Sequence, residues 1–237
     1  MVKKMIGCLC IHGFTGAPYE VEPLAEYLHE KTTWRIVVPT LPGHGETLSL
    51  KGITYKQWIE CAEKEMEKLL VECETVDVIG FSMGGLIAAY LAEKYPVEKL
   101  ILLSAAAKYI NVGQLLKDIK QMWKDMRSGT LSENELFLRY KNKFLFTPIS
   151  AAWQFRKMAA CSKPLFAKIQ TPTFIAQGLA DGIVPPKSAE YIYRRLPSRH
   201  KEIYYVPHAK HHICHTGEKE QLFEKVFTFL KGSSRVI

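Results

Sequence analysis

Six short apolar runs alternate with helix-like stretches, and this alternation limits the fold more than any other feature of the chain. The runs cover residues 5–11, 34–39, 76–80, 99–104, 172–177 and 201–206. Most are rich in Val, Ile and Leu and lack polar alternation, the pattern of strands buried on both faces. Between them lie periodic stretches at 19–28, 54–73, 84–95 and 186–196, and a last one at 218–230. In the second stretch Trp58, Ile59, Ala62, Met66, Leu69 and Leu70 recur at helical spacing. Such an order predicts an α/β fold: a mostly parallel sheet of about six strands with helices on its faces. Right-handed crossovers then bring every strand's C-terminal end to one edge, where sites form.

One stretch breaks the rhythm. Residues 105–168 carry helical patterns but no convincing strand, and are too long for a loop within a compact domain. They are expected to form a helical cap inserted into a core domain made of residues 1–104 and 169–237. A basic excess sits in the same stretch. Between Lys108 and Lys168 twelve Lys/Arg face four Asp/Glu, an excess equal to the net charge of +8 of the whole chain. A basic patch can attract anionic partners, but a solvated helical face is the simpler reading, and no nucleic-acid partner is expected.

The strongest chemical signal is Gly80-Phe81-Ser82-Met83-Gly84-Gly85. It matches G-x-S-x-G, directly after an apolar run and directly before a helical one. A sharp strand-to-helix turn strains the Ser and presses its neighbours together, so only small residues fit two positions away. The turn also aims the positive end of the following helix at Ser82. Ser82 is therefore the candidate nucleophile. Acyl transfer further needs N–H donors for an oxyanion. At elbows of this type one comes from the residue after the nucleophile and one from the loop after an early strand. These map to Met83 and, in His12-Gly13-Phe14-Thr15-Gly16, to Phe14.

The supporting acid should follow a later strand. Asp181, in Gly178-Leu179-Ala180-Asp181-Gly182, stands just past the fifth run, placed to orient an imidazole. The base should lie beyond the last strand, where His208, His211, His212 and His215 cluster. Spacing favours the middle pair and does not choose within it. Four histidines also invite a metal reading, but no acid and no Cys other than Cys214 accompanies them. No metal or cofactor is expected.

With these residues in view, the chain resembles the small bacterial carboxylesterases of the α/β-hydrolase superfamily, with bacterial monoacylglycerol lipases as close relatives. The resemblance rests on HGFTG at 12–16, LPGHG at 41–45, GFSMGG at 80–85, GLADGIVP at 178–185 and the final HHIC and EKEQLFEKVFTFL segments. It implies the α/β-hydrolase fold in a minimal six-strand form. It also selects His211, two residues before Ile213, as the catalytic His, although Lys210 stands where Gly or Ser is common. Phe14 and Met83 agree with its oxyanion donors, and His44 is assigned a turn rather than a catalytic role.

The expected reaction is hydrolysis of short-to-medium acyl esters through a Ser82-Asp181-His211 triad and an acyl-enzyme. Monoacylglycerol lipase activity, carbon–carbon or amide hydrolysis and perhydrolysis are alternatives on the same scaffold, and a non-catalytic binder is the remaining one. Apolar cap residues such as Met122, Trp123, Trp153, Phe155, Met158 and Phe166 are candidates for an acyl pocket or for packing. The run after Lys3 and Lys4 is too short for a signal peptide, and no stretch has the ~20 apolar residues of a membrane helix. The six cysteines include no CxxC pair and are expected as thiols in the cytoplasm. The expected partner is a small ester, without stable membrane insertion.

Overall fold

The computed structural model describes residues 5–107 and 148–232. Its strands are β1 (Ile6–Ile11), β2 (Arg35–Val37), β3 (Thr75–Phe81), β4 (Val97–Leu103), β5 (Thr173–Gly178) and β6 (Lys201–Val206). They form one sheet in the order β2-β1-β3-β4-β5-β6, and each neighbouring pair is parallel. The helices are α1 (Glu22–Lys31), α2 (Tyr55–Glu72), α3 (Met83–Lys94), α4 (Ile149–Ser162), α5 (Lys187–Arg195) and α6 (Lys219–Lys231).

Strand alternation divides the core into two layers. On one face Leu9, Ile11, Val76, Val78, Leu100, Leu102 and Ile175 pack beneath residues of α2, α3, α4 and α5. On the other, Cys8, Cys10, Ile79, Phe81, Ile101, Leu103, Phe174 and Ala176 pack beneath α1 and α6. Because both faces are covered, the central strands need no polar side, which explains their unbroken apolar runs. Each fully buried Leu, Ile or Phe among them contributes about 1.5–3 kcal/mol.

Two elements differ from the pattern-based bounds. The second strand has three residues, since it is an edge strand paired with β1 only through Arg35, Ile36 and Val37. The first helix starts at Glu22 rather than 19. Pro18–Glu20 form a separate 3₁₀ turn, and Pro23 stands in the first turn of the true helix, where a missing N–H costs nothing. At α2 a reciprocal cap sets the start: Thr54 Oγ1 accepts from the Gln57 N–H, and the Gln57 side chain accepts from the Thr54 N–H.

Most of the predicted cap, residues 108–147, lies outside the described residues. Ala105, Ala106 and Ala107 are buried. Helix α4 packs against α2 and α3, and its Gln154 Oε1 accepts from the Tyr55 N–H at 3.2 Å. Met158 and Phe166 are buried in the core, whereas Trp153 is exposed. Among the described residues no helix is long and apolar enough to cross a membrane.

The strand order has a functional consequence. The chain leaves β1 to one side to make β2, then returns past it to make β3. The order thus reverses between β1 and β3, which makes the C-terminal ends of these two strands the switch point where α/β sheets bind ligands.

Candidate active site

Strand β3 ends by delivering Ser82 to this switch point with φ 53° and ψ −112°. A non-glycine residue with positive φ carries strain of order 1–3 kcal/mol, and the surroundings must enforce it. Here the Ser82 N–H donates to Leu103 O at 2.9 Å, and Ser82 O accepts from the Gly85 and Ala106 N–H groups, each at 3.1 Å. The flanking glycines are obligatory for packing. A Cβ on Gly80 would stand 2.3 Å from Gly84 O, and one on Gly84 would stand 2.2 Å from Ile11 O. Strand, turn and helix thus touch backbone to backbone.

His211 Nε2 lies 3.0 Å from Ser82 Oγ, and His211 Nδ1 lies 2.8 Å from Asp181 Oδ2. All three residues are buried. Asp181 is held from four directions. Its Oδ1 accepts from the Ile183 and Val184 N–H groups, each at 2.9 Å. Its Oδ2 accepts from Gln177 Nε2 at 3.0 Å as well as from His211. Facing a carboxylate, Nδ1 carries the ring proton, which leaves Nε2 free to accept from the Ser82 hydroxyl. The loops after β5 and β6 are joined by Ala180 N–H donating to Ala209 O at 3.1 Å. A Cβ at Gly178 would overlap Ala209 O at 2.2 Å, so this glycine lets the two loops meet and brings Asp181 to His211.

The other histidines point elsewhere. His208 and His215 are exposed; His215 Nε2 donates to Tyr19 O at 2.8 Å. His212 Nε2 lies 3.3 Å from Glu20 Oε1. His211 is thus the member of the sequence cluster that meets both Ser82 and Asp181. Among the described residues no group of three or more His, Cys, Asp or Glu side chains is placed to hold a metal ion.

The loop after β1 borders Ser82. A Cβ on Gly13 would stand 3.1 Å from Ser82 Cβ. Among the described residues neither the Phe14 nor the Met83 N–H has a protein acceptor, and Met83 opens α3, where the helix dipole favours negative charge. The Phe14 ring stacks on Phe155 of α4 at 5.1 Å and meets Trp58 edge-on at 5.8 Å. His12 Nε2 accepts from the Leu41 N–H at 3.1 Å, and the Gly45 N–H donates to Gly16 O at 3.2 Å. The LPGHG loop therefore braces this loop, and buried His44 packs against His12, Phe14 and Trp58.

Two site residues escaped the sequence reading. Gln177 is the lone amide closing the apolar run of β5, a polar residue at a strand's C-terminal end that could have marked it. Glu20, 3% exposed, receives the Gly13 N–H at 2.8 Å. Its signal was fainter: an acid four residues after Gly16, before a helix that already has acids of its own.

The chain has known relatives in sequence and in structure. Over 233 residues the chain is 28% identical to a thermostable monoacylglycerol lipase of Bacillus sp. (strain H-257), covering 94% of this chain and 90% of that protein. It is 23% identical to a carboxylesterase of Bacillus subtilis (strain 168), covering 94% and 91%. Among solved structures, one from work on the metagenome-derived lipolytic enzymes LipS and LipT superimposes with a TM-score of 0.78 at 23% identity, over 97% of this chain and 95% of that one. The fold is that of the α/β hydrolases. Residues 6–220 match the family model described as serine aminopeptidase, S33, and the chain belongs to that family.

Proposed function

We propose that this protein is a serine carboxylesterase that hydrolyses short-to-medium acyl esters, with Ser82 as nucleophile, His211 as base, Asp181 as its orienting acid, and the Phe14 and Met83 N–H groups as the oxyanion hole. The observation that carries this reading is the unbroken relay from Asp181 Oδ2 through His211 to Ser82 Oγ, at 2.8 and 3.0 Å. A relatedness to enzymes named esterase and lipase supports the ester bond as the target.

The chemistry follows from the geometry. As Ser82 Oγ attacks the ester carbonyl carbon, its proton passes to His211 Nε2. The carbonyl oxygen gains the negative charge, which the two N–H groups and the start of α3 stabilise; losing one such donor typically costs ~3 kcal/mol of barrier. The protonated His211 then gives its proton to the leaving alcohol as the tetrahedral centre collapses to the acyl-enzyme. Water attacks the acyl carbon, again losing its proton to His211, which passes that proton to Ser82 Oγ as the tetrahedral centre collapses to the free acid. Throughout, Asp181 keeps the ring oriented and offsets its positive charge.

Initial rates on p-nitrophenyl acetate, butyrate, octanoate and palmitate, on a monoacylglycerol and on an aminoacyl p-nitroanilide test the substrate class. The expected maximum is at butyrate or octanoate. A maximum on the palmitate, or on the anilide, would overturn the short-to-medium ester assignment.

A further inference from the structure

Glu20 is a buried carboxylate outside the triad, and burying a charge is costly unless its partners repay the loss of water. Its partners are informative. Oε2 accepts from the Gly13 N–H at 2.8 Å. Oε1 lies 3.3 Å from His212 Nε2. A Cβ on Gly16 would stand 2.0 Å from Oε2, so the carboxylate fills the hollow of the His12–Gly16 loop. The Cβ position of Gly13 is 3.1 Å from both Glu20 Oε2 and Ser82 Cβ. The carboxylate and the nucleophile's Cβ therefore both border the side-chain position of Gly13. Glu20 is itself fixed by the 3₁₀ turn, in which the Glu20 N–H donates to Ala17 O at 3.1 Å and the Val21 N–H donates to Pro18 O at 2.9 Å.

We propose that Glu20 is a positioning residue for the oxyanion hole: it anchors the Gly13 N–H and so fixes the orientation of the Phe14 N–H beside Ser82. This rests on the reading of Ser82 as nucleophile. The second contact extends the role, because His212 follows the base His211 directly and their rings meet edge-on at 5.6 Å. One carboxylate thus joins the loop that holds the oxyanion donor to the loop that holds the base. The groups facing it include His12, His212, Cys214 and the Gly13 N–H. Burial alone would push the Glu20 carboxyl up, but the His212 hydrogen bond, the neighbouring His212 and His12 and the Gly13 N–H together hold it below its ordinary value.

The test uses Glu20→Ala, Glu20→Gln, Gly16→Ala and the Gly16→Ala/Glu20→Ala pair, with Ser82→Ala beside them. Two readouts are taken: kcat per site titrated to completion with a fluorophosphonate, and affinity for a trifluoromethyl ketone. That ketone accepts Ser82 Oγ at its carbonyl carbon, sends the Ser proton to His211 and leaves its oxygen as an oxyanion in the hole. Glu20→Ala should lower kcat per site and ketone affinity in parallel by roughly 10–100-fold, less than outright loss of a donor, with KM within about three-fold. Glu20→Gln, which keeps an oxygen for the Gly13 N–H, should recover most of the loss. Gly16→Ala, which displaces the carboxylate, should resemble Glu20→Ala, and the pair should be no worse than either single variant. Normalising to titrated sites removes any effect of misfolded material. Unchanged ketone affinity in Glu20→Ala, or additive losses in the pair, would overturn the anchor alone. Turnover by Ser82→Ala would remove the nucleophile, and the anchor with it.

Discussion

Gln177 Nε2 donates to Asp181 Oδ2 at 3.0 Å, the same oxygen that receives His211 Nδ1. The Gln177 amide also reaches Val184 O at 2.9 Å, so it ties the carboxylate to its own loop. Replacing Gln177 by Met keeps the bulk and removes the donor. A hydrogen bond to a charged group is worth about 1.5–3 kcal/mol, and part of that loss should appear as misorientation of His211. The expected result is a fall in kcat of roughly ten-fold with KM little changed, measured by steady-state kinetics on p-nitrophenyl butyrate.

The elbow makes a separate prediction. Gly80→Ala would set a methyl group 2.3 Å from the Gly84 carbonyl oxygen, and both partners are backbone, so neither can swing aside. Overpacking of this type costs about 1–3 kcal/mol or more. Urea unfolding should show the loss in the midpoint, and activity should fall further than stability alone explains because Ser82 shifts with the turn.

Much of this was legible in the sequence, for reasons particular residues show. The central strands declared themselves because both faces are covered, and the elbow did so because its glycines are dictated by backbone contact. Asp181 stood out as an acid at the end of a buried strand, and its Oδ2 meets His211 Nδ1 at 2.8 Å. The choice between His211 and His212 was not legible from spacing. They are adjacent in one loop, and the backbone turn sends one ring to Ser82 and the other to Glu20. Glu20 was hidden for a related reason: its meaning depends on Gly13 and Gly16 lying against it, a contact across a turn that no periodicity reports.

Asp77 carries a pH prediction for stability. It lies on β3, and burial, with Glu98 adding to it and Lys99 opposing, raises its carboxyl from an ordinary 3.8 to about 7. A carboxyl raised on folding favours the native state only while protonated there. Its contribution is full below pH 3.8, is lost between 3.8 and about 7, and is level above that. In that window it should reduce stability by up to ~1.4 kcal/mol per pH unit. Asp77→Asn removes the effect. The stability difference, variant minus parent, from urea titrations should rise toward pH 7 and then flatten; a difference independent of pH would contradict the assignment.

The thiols divide by access. Cys161 is exposed, Cys61 is half-buried, and Cys8, Cys10, Cys73 and Cys214 are buried. Burial pushes the Cys214 thiol up, and the Cys8 thiol is raised by its contact with Cys10 and then by burial. A disulfide reagent at neutral pH should therefore titrate one thiol quickly and a second slowly, with the other four reacting only after unfolding.

The central claim is that Ser82 is the atom acylated, and intact-protein mass spectrometry tests it most directly. Treatment with a fluorophosphonate should add one adduct per chain, located by peptide mapping to Ser82. The same treatment of Ser82→Ala should add none, while its unfolding midpoint stays within a degree or two, since one oxygen is removed from a packed turn. An adduct on another residue, or undiminished ester turnover by Ser82→Ala, would contradict the account.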